Sequence, residues 1–230
     1  MAEALCIAIL GAESTGKTTL AAALAQRLSA DTGQRVAWVP EVLRQWCDSN
    51  GRTPLAHEQA SILRAQHERI DAAAQAHDIV VCDTTALMTA VYSRLVFGDS
   101  TLDERAALLH RRSVSMTLLM AIDLPWVDDG LQRDGPQVRE PVDAALRELL
   151  QLHGIGYAVV GGQGELRLAQ ALAAVAPLLR AHDAAAADAS ASRKGGRFTG
   201  LGEGAARSRT WSCECCLPDQ ERALRRRAAQ

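Results

Sequence analysis

Short apolar segments alternate with longer segments of helical periodicity along the first 181 residues of the chain. The short segments are rich in aliphatic residues and lack a polar side, which is typical of buried strands in a parallel sheet. They cover 4–10, 35–39, 78–82, 116–122 and 157–160. The segments with helical spacing cover 16–30, 54–76, 84–96, 102–112, 141–152 and 165–181. This alternation predicts a three-layer α/β/α domain with a mainly parallel five-stranded sheet between its helices.

The longest of the helical patterns, over 54–76, also predicts which of its side chains face solvent. Polar residues recur along it, and we expect them to form the exposed side of the helix. They are Glu58, Gln59, Arg64, Gln66, Glu68 and Arg69.

The composition changes beyond this domain, 1–181, and no second packed core is expected. Residues 182–209 are rich in Ala, Gly, Ser and Arg, and such a segment buries too little surface to fold, which predicts a flexible linker. Residues 210–230 form a tail with three cysteines, Cys213, Cys215 and Cys216, and a basic end. Thiolates at this density suit a soft metal, but their spacing is poor for zinc, so free thiols are the simpler interpretation.

Composition and charge narrow the class of protein. The chain has 230 residues, 48% of them hydrophobic, which suffices for one core. Its net charge of −2 gives no reason to expect a nucleic-acid partner. No apolar stretch is long enough to span a membrane, and the start lacks the basic region of a signal peptide. We therefore expect a cytoplasmic protein with reduced cysteines, whereas its oligomeric state is not predicted.

The first apolar segment runs into Gly11-Ala-Glu-Ser-Thr-Gly-Lys-Thr, which matches the phosphate-binding pattern G-x-x-x-x-G-K-[ST] in full. The glycines let the backbone amides approach phosphate oxygens, and the next helix adds its positive N-terminal end. In this P-loop, Lys17 reaches the β- and γ-phosphates of ATP and the Thr18 hydroxyl binds Mg²⁺. A chance glycine turn before a helix is the alternative. The residues predicted to bind ATP are Gly11, Ala12, Glu13, Ser14, Thr15, Gly16, Lys17, Thr18 and Thr19.

A second ligand for Mg²⁺ is predicted at Asp83, which directly follows the apolar segment 78–82. Ligands in parallel sheets bind beyond the carboxyl ends of the strands, where Asp83 and the P-loop should meet. Aspartate here would alternatively cap the helix that begins near Thr84, because its carboxylate accepts hydrogen bonds from free backbone amides.

A carboxylate and a cation follow the second strand, in the sequence Val39-Pro-Glu-Val-Leu-Arg. Phosphoryl transfer to an alcohol benefits from a carboxylate that orients the hydroxyl and accepts its proton, and Glu41 is predicted to do this. Arg44 would hold an anionic oxygen or fix Glu41 in place. The alternative for both residues is a surface ion pair at the start of a helix.

The segment after the fourth strand, 123–134, combines an aromatic residue with acidic and basic ones. Trp126 offers a flat face for stacking on a ring, and Asp128 and Asp129 would hold ribose hydroxyls or complement a cationic base. Arg133 or Arg139 would close over the γ-phosphate and stabilise the charge of the transition state. On spacing alone, a rigid acidic loop with Trp126 as a packing residue is the favoured interpretation.

Four of these sequence blocks together resemble a known family. GAESTGKTTLA, VPEVLR, CDTT and especially IDLPWVDDGLQRD are similar to the ribosylnicotinamide kinase domain of the NadR-type NAD-biosynthesis family, from about Leu5 to Arg180. The resemblance implies a P-loop kinase fold and ATP-dependent phosphorylation of the 5′-hydroxyl of nicotinamide riboside. It also implies that the loop 125–133 binds substrate and acts as a lid, with Trp126 suited to the nicotinamide ring.

The chain also departs from that family. The longer members carry an adenylyltransferase domain before the kinase, whereas the P-loop here starts ten residues from Met1, so we expect a stand-alone kinase domain. The basic residue of the lid block, Arg133, lies one place later than usual. Two alternatives therefore stay open. The protein would be a kinase for another nucleoside or metabolite, or a regulatory ATPase whose tail binds a partner protein.

Overall fold

The computed structural model describes residues 4–127 and 135–194, and the side chains up to residue 184. The chain divides into two compact units, Met1–Ala191 and Ser192–Gln230. All strands and helices of the described ranges lie in the first unit, except for the last three residues of the final helix.

A single parallel sheet of five strands forms the centre of the first unit. The strands, in chain order, are β1 (Leu5–Leu10), β2 (Val36–Val39), β3 (Ile79–Asp83), β4 (Met116–Met120) and β5 (Ala158–Val160). Their order across the sheet is β2-β3-β1-β4-β5, and all four pairings are parallel. The predicted mainly parallel five-stranded sheet is confirmed. Since β1 is central, the loop that follows it opens at the middle of the carboxyl edge.

Seven α-helices connect and flank these strands in the described ranges. They are α1 (Lys17–Thr32), α2 (Val42–Asn50), α3 (Gln59–Ala76), α4 (Ala86–Phe97), α5 (Asp103–Ser113), α6 (Arg139–Leu152) and α7 (Glu165–Lys194). Single 3-10 turns at Ala56–Glu58 and Pro136–Val138 precede α3 and α6. None of these helices is long and apolar enough to cross a membrane.

Two of the helices differ from the sequence prediction. Helix α2 was not predicted, because only Val42 and Cys47 of its nine residues are buried and so short a segment spans only about two and a half helical turns. Helix α7 continues to Lys194 rather than ending at 181. The alanine-rich run that suggested a linker is also the composition with the highest helix propensity. The predicted linker therefore begins inside a helix, and its part from 195 onward lies outside the described residues, as does the tail 210–230.

The alternation of side chains along β1 explains why helices cover both faces of the sheet. Successive residues of a strand point to opposite faces. Ala8 and Leu10 pack in a core with residues of α3, α4, α5 and α6, whereas Ile7 and Ile9 pack in a second core with α1 and α7. Each core is fully apolar and buried, which holds the carboxyl edge of β1 rigidly beneath the P-loop.

Two glutamines of α3 are not where the sequence pattern placed them. Gln59 and Gln66 are 3% and 2% exposed, so the prediction that they face solvent was wrong. The physical reason is that both amides face the loop and cavity at the carboxyl edge of the sheet, as described below. Polarity alone does not distinguish such a residue from one that faces water.

The three cysteines of the core are free thiols, and all are buried. Cys6 and Cys82 lie in strands, as predicted, and Cys47 lies in α2. The cysteines of the tail, Cys213, Cys215 and Cys216, lie outside the described residues.

A buried histidine connects the elements around the end of β3. His110 of α5 is hydrogen-bonded through Nδ1 to the Thr85 hydroxyl at 3.0 Å and through Nε2 to the Thr117 hydroxyl at 2.8 Å. Thr85 also accepts a hydrogen bond from the Leu87 amide and so caps α4. Burial lowers the pKa of His110 from 6.5 to about 4, because a charged ring would lose its hydration there.

This shift predicts acid sensitivity of the fold. The unfolded chain takes up a proton at His110 below its ordinary pKa while the folded chain does not, so stability is lost as pH falls from 6.5 toward 4. We expect His110 to contribute a loss of about 2 kcal/mol between about pH 7 and pH 5. Urea unfolding of the wild type and His110→Gln measures this: the variant should lose less stability over that range. His57→Gln, at an exposed histidine, should keep the wild-type slope; equal slopes in all three proteins would contradict the assignment.

Candidate functional site

The loop between β1 and α1 has the backbone geometry that phosphate binding requires. Gly16 immediately precedes α1 and has φ 80°, a left-handed conformation that favours glycine. A Cβ at Gly11 would lie 2.8 Å from the Cβ of Met120 in β4, so no larger residue fits against that strand. Ser14 also adopts a positive φ of 53°, which is uncommon outside glycine and occurs here within the loop. The predicted strand–loop–helix context of this motif is present.

Lys17 of the loop lies at the centre of a cluster of charges. Its Nζ donates a hydrogen bond to the Ala12 carbonyl at 2.8 Å, which keeps the ammonium group over the loop. Burial lowers the pKa of Lys17, while the negative charges of Glu41 and Asp83 oppose that shift. The ammonium group is therefore close to the carboxylates that follow both β2 and β3.

Asp83 and Thr18 come together as predicted for a magnesium site. Asp83 is the last residue of β3, is 1% exposed and interacts with the Thr18 side chain. Its Oδ1 is buried and has no hydrogen-bond partner in the part of the chain that the structure describes. Burial raises the pKa of Asp83, and the interaction with Thr18 partly offsets this. A hydroxyl and an orphaned carboxylate oxygen are the hard oxygen ligands that Mg²⁺ takes, so these residues fit the ion.

The alternative role of Asp83, as the cap of the next helix, belongs to another residue. Helix α4 begins at Ala86, and the side chain of Thr85 accepts the hydrogen bond from the Leu87 amide. Asp83 makes no cap to this helix in the described residues, which leaves its carboxylate directed at Thr18 and Lys17.

Glu41 lies between β2 and α2 and is buried beside Lys17. It is the residue immediately before α2 and is 8% exposed, so it is not a surface residue. Burial raises the pKa of Glu41, while the charge of Lys17 opposes the shift. The Arg44 Nε lies 3.9 Å from Glu41 Oε2, so the contact foreseen between the two residues exists, with the carboxylate on the buried side.

Gln66 fixes the short backbone segment that carries Glu41. Its Oε1 accepts a hydrogen bond from the Val42 amide at 2.8 Å, and its Nε2 donates to the Pro40 carbonyl at 3.5 Å. One buried side chain of α3 therefore holds the peptide groups on both sides of Glu41. The sequence offered no signal for this role, because glutamine at that position suits a solvent-exposed helix face equally well.

A cavity of about 520 Å³ lies beside the P-loop and contains the side chains of Lys17 and Glu41. Its floor is the loop and the start of α1. Its other wall comes from α2, the segment before α3, and α4. The residues of this wall are Glu41, Leu43, Arg44, Cys47, Thr53, Pro54, Leu55, Gln59, Tyr92, Val96 and Phe97. The cavity can therefore hold a phosphate chain on one side and a partly apolar molecule on the other.

The segment after β4 contacts the P-loop at Ser14. The Ser14 hydroxyl donates to the Val127 carbonyl at 2.7 Å and accepts from the Val127 amide at 3.0 Å. Trp126 is half-buried and does not line the cavity that contains Glu41. Within residues 4–127 and 135–194, its Nε1 has no hydrogen-bond partner. The predicted stacking of Trp126 on substrate stays a prediction. Asp128, Asp129 and Arg133 lie outside the described residues.

Two arginines anchor the base of this segment. Arg139 donates a hydrogen bond to the Leu124 carbonyl at 2.8 Å and, being buried there, does not reach the cavity. Arg167 of α7 donates to the carbonyls of Thr15 and Gly162 and forms an ion pair with Asp123. The sequence analysis missed Arg167, although its position just beyond the carboxyl end of β5 was an available signal.

The parallel sheet with its central P-loop, and the Lys17, Thr18 and Asp83 side chains at the carboxyl edge, define a P-loop nucleotide-binding domain. The model of a family described as an AAA domain matches residues 6–167. The chain belongs to that family. No curated protein sequence matches the chain significantly.

Two solved structures of NadR proteins share this fold. A NadR protein in complex with NAD and AMP-PNP matches with a TM-score of 0.58 and 20% identity, over 75% of this chain and 48% of the other. A NadR protein in complex with NR matches with a TM-score of 0.60 and 21% identity, over 75% and 50%. The chain thus spans about half the length of these NadR proteins. A thymidylate kinase from Ehrlichia chaffeensis gives a TM-score of 0.48 at 16% identity, over 70% and 89%.

Mutation of Gln66 tests its role in positioning Glu41. Gln66→Leu keeps the size of the side chain but removes the bond to the Val42 amide, so Glu41 should lose its fixed position. We expect turnover of ATP with an acceptor to fall by about tenfold, with the KM for ATP changing less than about twofold. Gln75→Leu, at an exposed position of the same helix, should behave as the wild type. An unchanged kcat in Gln66→Leu would show that Glu41 needs no such support.

Proposed function

We propose that this protein is an ATP-dependent kinase that phosphorylates the 5′-hydroxyl of nicotinamide riboside and releases nicotinamide mononucleotide and ADP. The observation that carries the proposal is the burial of Glu41 in the same cavity as Lys17 of the P-loop. A protein that only binds or hydrolyses a nucleotide has no need for an acceptor pocket beside its phosphate site. The choice of nicotinamide riboside is supported by the sequence blocks shared with NadR-type kinases and by the NadR fold.

The residues divide the reaction between two sides of the cavity. On the donor side, the P-loop amides and Lys17 hold the β- and γ-phosphates, and Thr18 and Asp83 would hold Mg²⁺, which neutralises phosphate charge when bound. On the acceptor side, Glu41 orients the hydroxyl and accepts its proton as the oxygen bonds to the γ-phosphorus. The bond from that phosphorus to the β-phosphate oxygen breaks, and ADP leaves.

The electrostatics of the cluster suit this division. Burial raises the pKa of Glu41 and of Asp83, and the charge of Lys17 opposes both rises. Lys17 therefore keeps the two carboxylates more fully ionised than burial alone would allow. A carboxylate with a raised pKa is also a stronger base toward an alcohol than an exposed one. Excluding water from the cavity strengthens all these interactions and limits hydrolysis of ATP.

The proposal is tested by incubating the protein with Mg·ATP and a panel of nucleosides and identifying the products by mass spectrometry. We expect nicotinamide riboside to gain one phosphoryl group at its 5′-oxygen at the highest rate. Lys17→Ala should abolish the reaction without unfolding the protein, since it removes the cation that holds the phosphates. Faster phosphorylation of a different nucleoside would show that this nucleoside is the substrate. ATP hydrolysis without any phosphorylated acceptor would favour the regulatory ATPase.

The role of Glu41 as the base predicts a change in the pH profile. Because burial raises the pKa of Glu41 above 4.5, wild-type kcat should fall on acidification at a higher pH than an ordinary glutamate would cause. Glu41→Gln should lower kcat by about a hundredfold or more and remove that acidic limb, with little effect on the KM for ATP. Glu104→Gln, an exposed glutamate of α5, provides the control. A variant at Glu41 that retains the wild-type kcat would exclude it as the base.

A further inference from the structure

Two residues that line the cavity each have a buried oxygen atom with no hydrogen-bond partner among the described residues. One is Oε2 of Glu13, in the P-loop, and the other is Oε1 of Gln59, the first residue of α3. Both residues line the cavity, and Gln59 as a whole is 3% exposed. Buried polar atoms are nearly always satisfied in folded proteins, so two orphans in residues that line one cavity require an explanation.

The side chain of Glu13 interacts with the Tyr92 side chain of α4. Tyr92 lines the acceptor wall together with Gln59, so this contact links Glu13 to that wall. Because Glu13 belongs to the P-loop motif, we expected it to bind ATP. The backbone amides of this motif form the phosphate site, so that expectation does not fix the role of the Glu13 side chain.

The chemistry of the two orphaned atoms selects the group that they can bind. Both are hydrogen-bond acceptors, so the ligand must present donors, such as sugar hydroxyls. A phosphate group presents acceptor oxygens and negative charge, and Glu13 would repel it. The same wall carries Leu43, Leu55, Val96 and Phe97, whose apolar surface suits a flat ring beside the sugar.

We infer that Glu13 and Gln59 determine acceptor specificity by binding hydroxyl groups of the sugar of an unphosphorylated nucleoside. The inference rests on the proposed kinase activity, but it does not depend on which base the nucleoside carries. Losing one such contact leaves a buried polar group unpaired in the complex, and the expected effect is about a tenfold to hundredfold loss of kcat/KM for the acceptor.

The experiment is a steady-state comparison of the wild type with Glu13→Gln and Gln59→Leu, using the nucleoside that the wild type phosphorylates best and its 2′-deoxy and 3′-deoxy analogues. Glu13→Gln keeps an oxygen for Tyr92 while removing the charge, and Gln59→Leu keeps the size. We expect each variant to lose about tenfold to a hundredfold in kcat/KM on the ribonucleoside, with the KM for ATP within about twofold. Glu104→Gln and Gln75→Leu, both at exposed positions, should match the wild type.

The deoxy analogues separate a direct contact from a structural effect. If a residue binds one hydroxyl, removing the residue and removing that hydroxyl have overlapping consequences, so the variant should lose less than about threefold on the analogue that lacks it. A loss that stays undiminished on both analogues, or an equal rise in the KM for ATP, would overturn the inference. So would faster phosphorylation of a nucleoside monophosphate than of its nucleoside.

The outcomes also distinguish this inference from the proposed function. If a nucleoside other than nicotinamide riboside is the substrate and the variants behave as expected on it, the substrate assignment fails and the inference stands. If nicotinamide riboside is phosphorylated equally well by the wild type and both variants, the substrate assignment stands and the inference fails. If no nucleoside is phosphorylated by the wild type, both fail.

Discussion

The interaction on which the site depends is the electrostatic cluster of Lys17, Glu41 and Asp83 at the carboxyl edge of the sheet. Each group is more costly to bury alone than with the others, because burial lowers the pKa of the lysine and raises that of each carboxylate. Their mutual attraction offsets part of this cost and keeps opposite charges together in one cavity. Three separate strand ends, those of β1, β2 and β3, contribute the three residues, so the sheet itself sets their arrangement.

The rest of the architecture supports this cluster from both sides. The apolar cores on the two faces of the sheet hold β1 in place, and Gly11 fits against Met120 where no side chain would. Around the cluster, polar contacts fix backbone rather than side chains: Gln66 holds the peptide groups beside Glu41, and Arg167 holds the carbonyl of Thr15. Rigid support of this kind is what placing a phosphate donor near an acceptor hydroxyl requires.

The strands and the donor side of the site were predictable from sequence because their signals are local. In a chain where short apolar segments alternate with helical ones, an apolar run such as that of β3 indicates a buried strand. The P-loop needs its glycines and lysine at fixed spacing, which makes the motif recognisable. Glu41 and Asp83 were found because they directly follow strands. The structure brings Lys17, Glu41 and Asp83 together, as this placement implied.

The acceptor wall was not predictable, because its residues come from separate helices with no shared motif. Gln59 and Gln66 look like surface residues in the sequence, and only the fold shows that their amides are buried. Tyr92 belongs to a mainly apolar helix, and its contact with Glu13 joins residues distant in sequence. Helix α2 and the length of α7 were missed for a different reason, since short helices and alanine-rich segments carry weak or ambiguous periodicity.

The central claim is that one cavity holds the phosphate donor and the acceptor at the same time, on opposite sides of Lys17. Calorimetric titration of nicotinamide riboside into the protein saturated with Mg²⁺ and a non-hydrolysable ATP analogue tests this directly. If donor and acceptor bind together, one nucleoside should bind per chain of the loaded protein, at least as tightly as to the protein without the analogue. Competition between the two ligands, with the nucleoside displacing the analogue, would contradict it.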